Sequence, residues 1–312
     1  MNEPVGVLRL VDPVRAGDAW VPIAPPGYRV AVEQVCWPPR AAEVARVAAA
    51  AAREGARIVH AHGRWANLVA VAAAKLLRAK AICTLGMPPG VAEALAFRSA
   101  DAVMCSTREK RDRCVRRDRI PLARVCVVHP GVDVGRFPAP APGPTPLIVA
   151  IGALFARKGH VAFLEALAQV RRTIPEVRAV CGGEGPMRPV LEQRIAHLGL
   201  RDAVQLAGHV EDVPALLSAA HAAWTPGVRA TIEAMAAGVP AASPWRELIG
   251  TDLAVPPHDP AALAGRLLAF LRDPKAGEAL RRRAAKEFSL EAFGARLGAM
   301  YDAVLAPGCA AA

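Results

Sequence analysis

Five alternating prolines, Pro138, Pro140, Pro142, Pro144 and Pro146, cut this chain into two halves of the same kind. Such a run excludes helix and forms a short, semi-rigid polyproline connector. Before it, apolar runs of strand length (5–11, 29–35, 57–61, 80–84, 102–106, 125–129) alternate with helical stretches (41–53, 65–77, 91–99, 108–117). After it the alternation is cleaner. Strands are predicted over 147–151, 177–181, 204–207, 222–224, 241–243 and 253–255. Helices are predicted over 160–172, 188–197, 213–219, 231–237, 261–271, 276–287 and 290–305. Strand–helix alternation at this spacing means parallel sheets with crossover helices. The expectation is therefore α/β: two Rossmann-like domains with parallel sheets facing a cleft.

The 312 residues suffice for two cores, and with 53% apolar but only 4% aromatic residues those cores must be built from Ala, Val and Leu. No apolar run reaches the roughly 18–20 residues of a membrane span, and the first residues lack the basic start and apolar stretch of a signal peptide. Seven scattered cysteines, never in a Cys-x-x-Cys pair, read as reduced thiols of a cytoplasmic protein. Most of the +11 net charge lies before residue 144. It is densest from Arg108 to Arg119, a helix face suited to an anionic membrane surface or a phosphate-bearing substrate, or simply to water. Nucleic acid is disfavoured, because interleaved aromatics and a recognisable binding module are missing. A cytoplasmic protein, peripheral at the inner face of the membrane, is the localisation this suggests.

In an open parallel sheet, ligands sit beyond the C-terminal strand ends, where loops lead into helices. Three loops of the second half fit. In the first, 151–160, Gly152 permits a tight turn, and Lys158 with Arg157 places positive charge where a diphosphate would rest. The second, 181–188, has Gly183 and Gly185 for close backbone approach. The third is 232–240, read as a short helix with Glu233 in its first turn, Gly238 as a left-handed cap and Pro240 as a stop. A glutamate there either accepts from the two hydroxyls of a ribose or merely complements the helix dipole.

With these residues in view, the chain resembles glycosyltransferase family 4, the glycosyl transferases group 1. The likeness covers roughly residues 55–305. It rests on Ile151-Gly152 to Lys158-Gly159, on Gly183-Glu184-Gly185-Pro186 and on Leu206-Ala207-Gly208-His209 with Asp212-Val213-Pro214. It continues through Glu233-Ala234-Met235-Ala236-Ala237-Gly238-Val239-Pro240, Val255-Pro256-Pro257-His258-Asp259-Pro260 and Phe288-Ser289-Leu290. In the first half, His60-Ala61-His62 and His129-Pro130-Gly131-Val132-Asp133 are similar to family landmarks.

The resemblance implies a GT-B fold and a retaining, metal-independent glycosyltransferase. A sugar would pass from a nucleotide-diphosphate sugar to a polysaccharide, lipopolysaccharide or lipid-linked acceptor. It implies an acceptor-side domain over 1–137, the proline linker over 138–146 and a nucleotide-sugar-binding domain over 147–288. A helix over 289–306 would cross back to the first domain, and 307–312 would be a disordered tail. Gly152, Lys158, Gly183, Gly185 and Glu233 would bind the donor. Lys158 would neutralise its diphosphate and Glu233 would hold the ribose. No cofactor is implied, and no Asp-x-Asp occurs to hold a metal.

The chain also departs from the pattern. Gly152-Ala153 stands where the family has Gly-Arg, so one phosphate-binding cation is lost; Arg157 or Arg229 could replace it. The position eight before Glu233 is Thr225 instead of glutamate, and the loop there is shortened. The segment after Pro240 is abbreviated, and Cys83-Thr84-Leu85-Gly86 replaces a cleft histidine. These losses motivate an alternative, a catalytically impaired GT-B scaffold that partners an active glycosyltransferase. His60 and His62, two apart at a strand end, point to one face. They either line the acceptor cleft or are packed and hydrogen-bonded; as metal ligands they lack a third partner.

Overall fold

The computed structural model describes residues 3–12, 23–35, 41–86 and 90–306. The predicted tail at 307–312 lies outside them. The chain forms two compact units. One comprises the chain up to Gly131 together with the stretch from Leu290 onward, and the other is Val132–Ser289. In chain order the first unit holds β1 (Val5–Val11), β2 (Tyr28–Gln34), α1 (Ala41–Arg53), β3 (Ala56–His62), α2 (Arg64–Leu77), β4 (Lys80–Leu85), α3 (Val91–Ser99), β5 (Ala102–Cys105), α4 (Arg108–Asp118) and β6 (Val125–Val127). The second holds β7 (Leu147–Ile151), α5 (His160–Thr173), β8 (Arg178–Gly182), α6 (Arg188–His197), β9 (Val204–Gly208), α7 (Val213–Ser218), β10 (Ala222–Trp224), α8 (Val228–Ala237), β11 (Ala241–Ala242), α9 (Arg246–Ile249), α10 (Pro260–Arg272) and α11 (Lys275–Glu287). The last helix, α12 (Leu290–Leu305), returns to the first unit.

The first unit is a six-stranded sheet in the order β2-β1-β3-β4-β5-β6, with every pair parallel. The period of two along β1 sends its side chains to opposite faces. Leu8 and Leu10 join Val47, Ala51, Val69 and Ala73 of α1 and α2. Val7 and Val11 join Phe293, Leu297 and Tyr301 of α12. Arg9 is wholly buried, and its Nε donates to the Tyr301 hydroxyl at 3.2 Å. That hydroxyl also lies 2.8 Å from His60 Nδ1. A further bond from Tyr28 to Asp302 Oδ1, 2.5 Å, holds the last turn of the helix to β2.

The second unit is a five-stranded parallel sheet in the order β11-β10-β7-β8-β9. Ile148 and Ala150 of β7 face a core that includes Phe163 and Leu167 of α5 and Leu263 and Leu267 of α10. Val149 and Ile151 face the opposite core, with Ile232 and Met235 of α8 and Leu280 of α11.

Three expectations change. The proline segment is extended, as five prolines require, but it is tied along the second unit. Val132 N donates to Phe288 O at 2.9 Å, and Phe137 is buried in the α8–α11 core. The Arg281 guanidinium reaches the carbonyls of Phe137 and Pro138, each at 3.0 Å, and Ala141 N reaches Ser218 O at 2.8 Å. The boundary therefore falls after Gly131 and not after 137. Residues 253–255 are not a strand: Leu253 and Val255 pack into the core while Ala254 makes a single bridge to Ser243. Finally, α8 begins at Val228, so Glu233 sits in the body of the helix and not in its first turn. Gly227 caps that helix with no side chain, which leaves no polar start signal in the sequence.

Candidate functional site

The C-terminal ends of β7, β8 and β10 open into the three loops singled out above, all within Val132–Ser289. The first two loops lie back to back. Gly152 N donates to Gly182 O at 3.0 Å, and Leu154 N to Glu184 O at 2.8 Å. Gly183 has φ 145°, and a Cβ on it would come within 2.1 Å of Gly152 O; one on Gly185 would come within 2.6 Å of Leu154 O. These glycines therefore allow the close backbone approach expected of them, here between the two loops. A Cβ on Gly152 would instead meet Pro226 Cγ at 3.3 Å and His160 Nε2 at 3.9 Å.

Lys158 ends a 3-10 turn, Ala156–Lys158, before α5. Gly159 follows in the left-handed region at φ 68°, where a Cβ would overlap Pro257 O at 1.8 Å; no other residue fits. The turn is pinned on both sides. Buried Trp224 donates its Nε1 to Lys158 O at 3.3 Å, and Lys158 Nζ donates to Pro226 O at 3.1 Å. Trp245 Nε1 also donates to Pro226 O, at 3.3 Å. Burial, then the neighbouring Arg157 charge, lowers the Lys158 pKa from its usual range. Arg157 itself is exposed, with its guanidinium 4.8 Å from the centre of the Phe155 ring. Its charge lies close enough to Lys158 to act on it.

The shortened loop from β10 to α8 is only Thr225-Pro226-Gly227. Thr231 on α8 knits it down: its hydroxyl lies 3.0 Å from Thr225 O, 2.8 Å from Gly227 O and 2.9 Å from the Ser243 hydroxyl. Thr225, at the position where the resemblance would put a glutamate, is fully buried, and its hydroxyl reaches Ala242 O at 3.3 Å. One turn along α8, Arg229 Nε donates to Glu233 Oε1 at 2.9 Å, with the arginine side chain 45% and the glutamate 14% exposed. The carboxylate accepts at one oxygen from a neighbour that also balances its charge, so Arg229 is committed to Glu233 in this state. Gly238 closes α8 at φ 74°, with N–H groups returning to Ala234 and Met235, as expected of a left-handed cap.

The structure thus brings Gly152, Lys158, Gly183 and Gly185 onto adjoining loops, and places the Arg229–Glu233 pair on the helix that opens against Lys158. His60 and His62 belong to the other unit. His60 is fully buried, with Nδ1 at Tyr301 and Nε2 3.0 Å from the Thr84 hydroxyl. Burial, aided by the Arg9 charge, pushes its pKa well down and keeps the ring neutral. Both nitrogens are engaged, so His60 does not line a cleft. His62, at the strand end, meets the same Thr84 hydroxyl through Nδ1 at 3.0 Å. The residues that sequence reasoning passed over are Trp224, Trp245, Thr231 and His160. Only His160 carried a signal, a polar ring at the first position of a helix whose following residues are mostly apolar.

The family model for glycosyl transferases group 1 matches residues 145–273, and the one for Glycosyltransferase Family 4 matches residues 21–136. The chain belongs to this glycosyltransferase family. A glycogen synthase of Mycobacterium tuberculosis is 29% identical over 214 residues, 62% of this chain and 51% of that protein. A D-inositol 3-phosphate glycosyltransferase of Streptomyces avermitilis is 33% identical over 231 residues, 63% of this chain and 49% of that protein. The chain spans about half the length of the curated relatives it matches. Anabaena HepE, solved in complex with UDP-glucose, superposes with a TM-score of 0.79 at 19% identity, over 95% of this chain and 99% of that one. The fold of this family-4 chain is therefore GT-B, with two Rossmann-like units.

Proposed function

We propose that this chain is a retaining glycosyltransferase. It takes a sugar from a nucleotide-diphosphate donor seated on the Val132–Ser289 unit and passes it to a saccharide or lipid-linked acceptor in polysaccharide, lipopolysaccharide or glycolipid synthesis. The observation that carries this reading is the Lys158 ammonium, held at the ends of β7 and β10 beside the start of the helix bearing Glu233. When the bond from sugar C1 to the diphosphate breaks, negative charge grows on the leaving oxygen, and a fixed cation in a partly dry site stabilises it. Glu233 accepts from the ribose hydroxyls. The chain has no Asp-x-Asp, so the catalytic charge falls to side chains, and activity should persist unchanged in EDTA. A chelator-sensitive rate restored by added metal would overturn that part. The comparisons do not favour the rival scaffold reading.

The deciding experiment is calorimetric binding of UDP, GDP and ADP and their common sugars. One nucleotide should bind, and Glu233→Gln should weaken it about 10- to 100-fold, as expected for hydrogen bonds to a charged acceptor. The melting temperature should barely move, since a part-exposed ion pair is worth little. Undiminished affinity in the variant would remove the ribose role.

The peripheral membrane reading rests on α4. Thr107 caps it by accepting from Lys110 N at 3.2 Å, and Arg108, Arg116 and Arg117 are exposed, with Arg119 just beyond. Arg111 is paired with Asp112 at 2.7 Å, which lowers the net charge of the face. Weak binding to vesicles containing anionic lipid, lost as salt rises to about 0.5 M, is expected. Equal binding to neutral vesicles would sink it. No helix among the described residues is long and apolar enough to cross a membrane.

A further inference from the structure

His160 is the first residue of α5, two positions after Lys158, and is 3% exposed. Neither ring nitrogen makes a well-formed hydrogen bond among the described residues, and the backbones of Ala153 and Gly152 lie close enough only to favour its charged form. A buried imidazole with both nitrogens unmet costs stability, and an apolar side chain would fill the same space without that cost. The ring is not lost in the core. Its Nε2 edge lies 3.9 Å from where a Cβ on Gly152 would be, close to Pro226, and Lys158 acts on it electrostatically. An unmet imidazole is thus built into the end of β7, between the two loops that frame the candidate diphosphate seat. The arginine that the resemblance implies is replaced there by Ala153, and the Arg157 guanidinium lies over the Phe155 ring.

We propose that His160 supplies the second positive charge of the diphosphate seat, taking a proton from solvent as the donor settles on the 152–159 loop and returning it when the nucleotide leaves. This rests on the nucleotide-sugar reading above. In the free protein, burial pushes the imidazole down to about 4; the Ala153 backbone opposes this, the Lys158 charge adds to it, and the Gly152 backbone opposes it least. The ring is therefore neutral at working pH. The charged groups on the surrounding elements are Lys158 and Arg157 on its own loop, the Arg229–Glu233 pair on α8, and the Glu184–Arg188 pair beside the neighbouring loop. Ahead of α10 stand His258 and Asp259, the latter capping that helix through Ala262 N. Of these, the Lys158 charge favours the neutral ring.

A bound diphosphate reverses this balance. One negative charge within about 5 Å, at an effective dielectric constant near 20, favours the protonated ring by roughly two powers of ten. The diphosphate also gives the ring nitrogen an acceptor. After the sugar departs, the nucleotide carries more charge and holds the proton harder, so His160 favours the leaving state over the intact donor. Because the bound pKa exceeds the free one, binding tightens as pH falls through the bound value and levels off above it. The nucleotide-sugar diphosphate does not itself titrate between pH 5.5 and 8, about where the effect is expected.

The test uses the full chain with UDP-glucose, GDP-mannose and ADP-glucose, taking forward whichever binds. Titration calorimetry at pH 6.5 in Pipes and in imidazole, two buffers of different ionisation enthalpy, should show roughly 0.4 proton taken up per donor bound. The uptake should vanish in His160→Gln, with affinity about three- to fourfold weaker at pH 6 and nearly equal at pH 8. Equal proton uptake in the two proteins would overturn the proposal. A second arm needs no variant to fold: the His160 ring proton, followed by NMR with saturating donor, should move its titration midpoint from about 4 to above 6. An unmoved midpoint would overturn the proposal and leave the donor reading standing. Failure of all three donors to bind at millimolar concentration would end both.

Discussion

Replacing Lys158 with alanine is expected to lower kcat about 10²- to 10³-fold, the usual loss when one fixed donor to a developing anion is removed. The donor KM should change far less, because the intact diphosphate carries less charge on the bridging oxygen than the departing one. The comparison variant is Lys158→Met, which keeps an unbranched stem of similar length but withdraws the ammonium, whose Nζ lies 3.5 Å from a Cβ placed on Gly227. It should lose kcat equally. The Pro226 carbonyl keeps its Trp245 partner in either variant, so the short loop should stay in place. A loss confined to KM, with kcat near wild type, would mean that Lys158 binds the ground state only. The charge-stabilising role would then have to be assigned elsewhere.

Tyr301→Ala is expected to destabilise the first unit by about 3–5 kcal/mol, the range for deleting a buried aromatic ring. The ring stacks edge-on against Tyr28, with centroids 5.1 Å apart, and against His60 at 5.7 Å. Its hydroxyl is shared by the Arg9 guanidinium and His60. Tyr301→Phe keeps the ring and withdraws only that oxygen, for which about 1–3 kcal/mol is expected. Hydrogen exchange read on peptides covering β1 and β3 reports the two losses separately from the Val132–Ser289 unit. A change below about 1 kcal/mol for the alanine variant would show that α12 contributes little to that core.

The sheets were legible from the sequence because their strands are short apolar runs set at regular distances between amphipathic helices. The apolar trio 253–255 misled because burial does not require a ladder: Leu253 and Val255 are held by packing, with one bridge between them. The start of α8 was missed because Gly227 leaves no polar signal, and that moved Glu233 from a dipole position to mid-helix. The proline segment was recognised as extended, but its docking depends on Arg281, well over a hundred residues away, and distant partners leave no local trace. At the candidate site, Lys158 and Glu233 were found by pattern. Gly183 and Gly185 are legible as points of close backbone approach, and the partner loop they approach is visible only in the fold. His160 could be read only once its missing partners were visible.

Of the two units, only Val132–Ser289 is an uninterrupted stretch of chain. On a ribosome it can be complete while Val7, Val11, Ile58 and Ile82 still wait for the helix that covers them, which is made after it. The order of emergence is thus inverted: the half translated first is the half finished last. For that interval a parallel sheet with one bare apolar face depends on chaperones, or on the speed with which about sixteen residues are added, to escape aggregation.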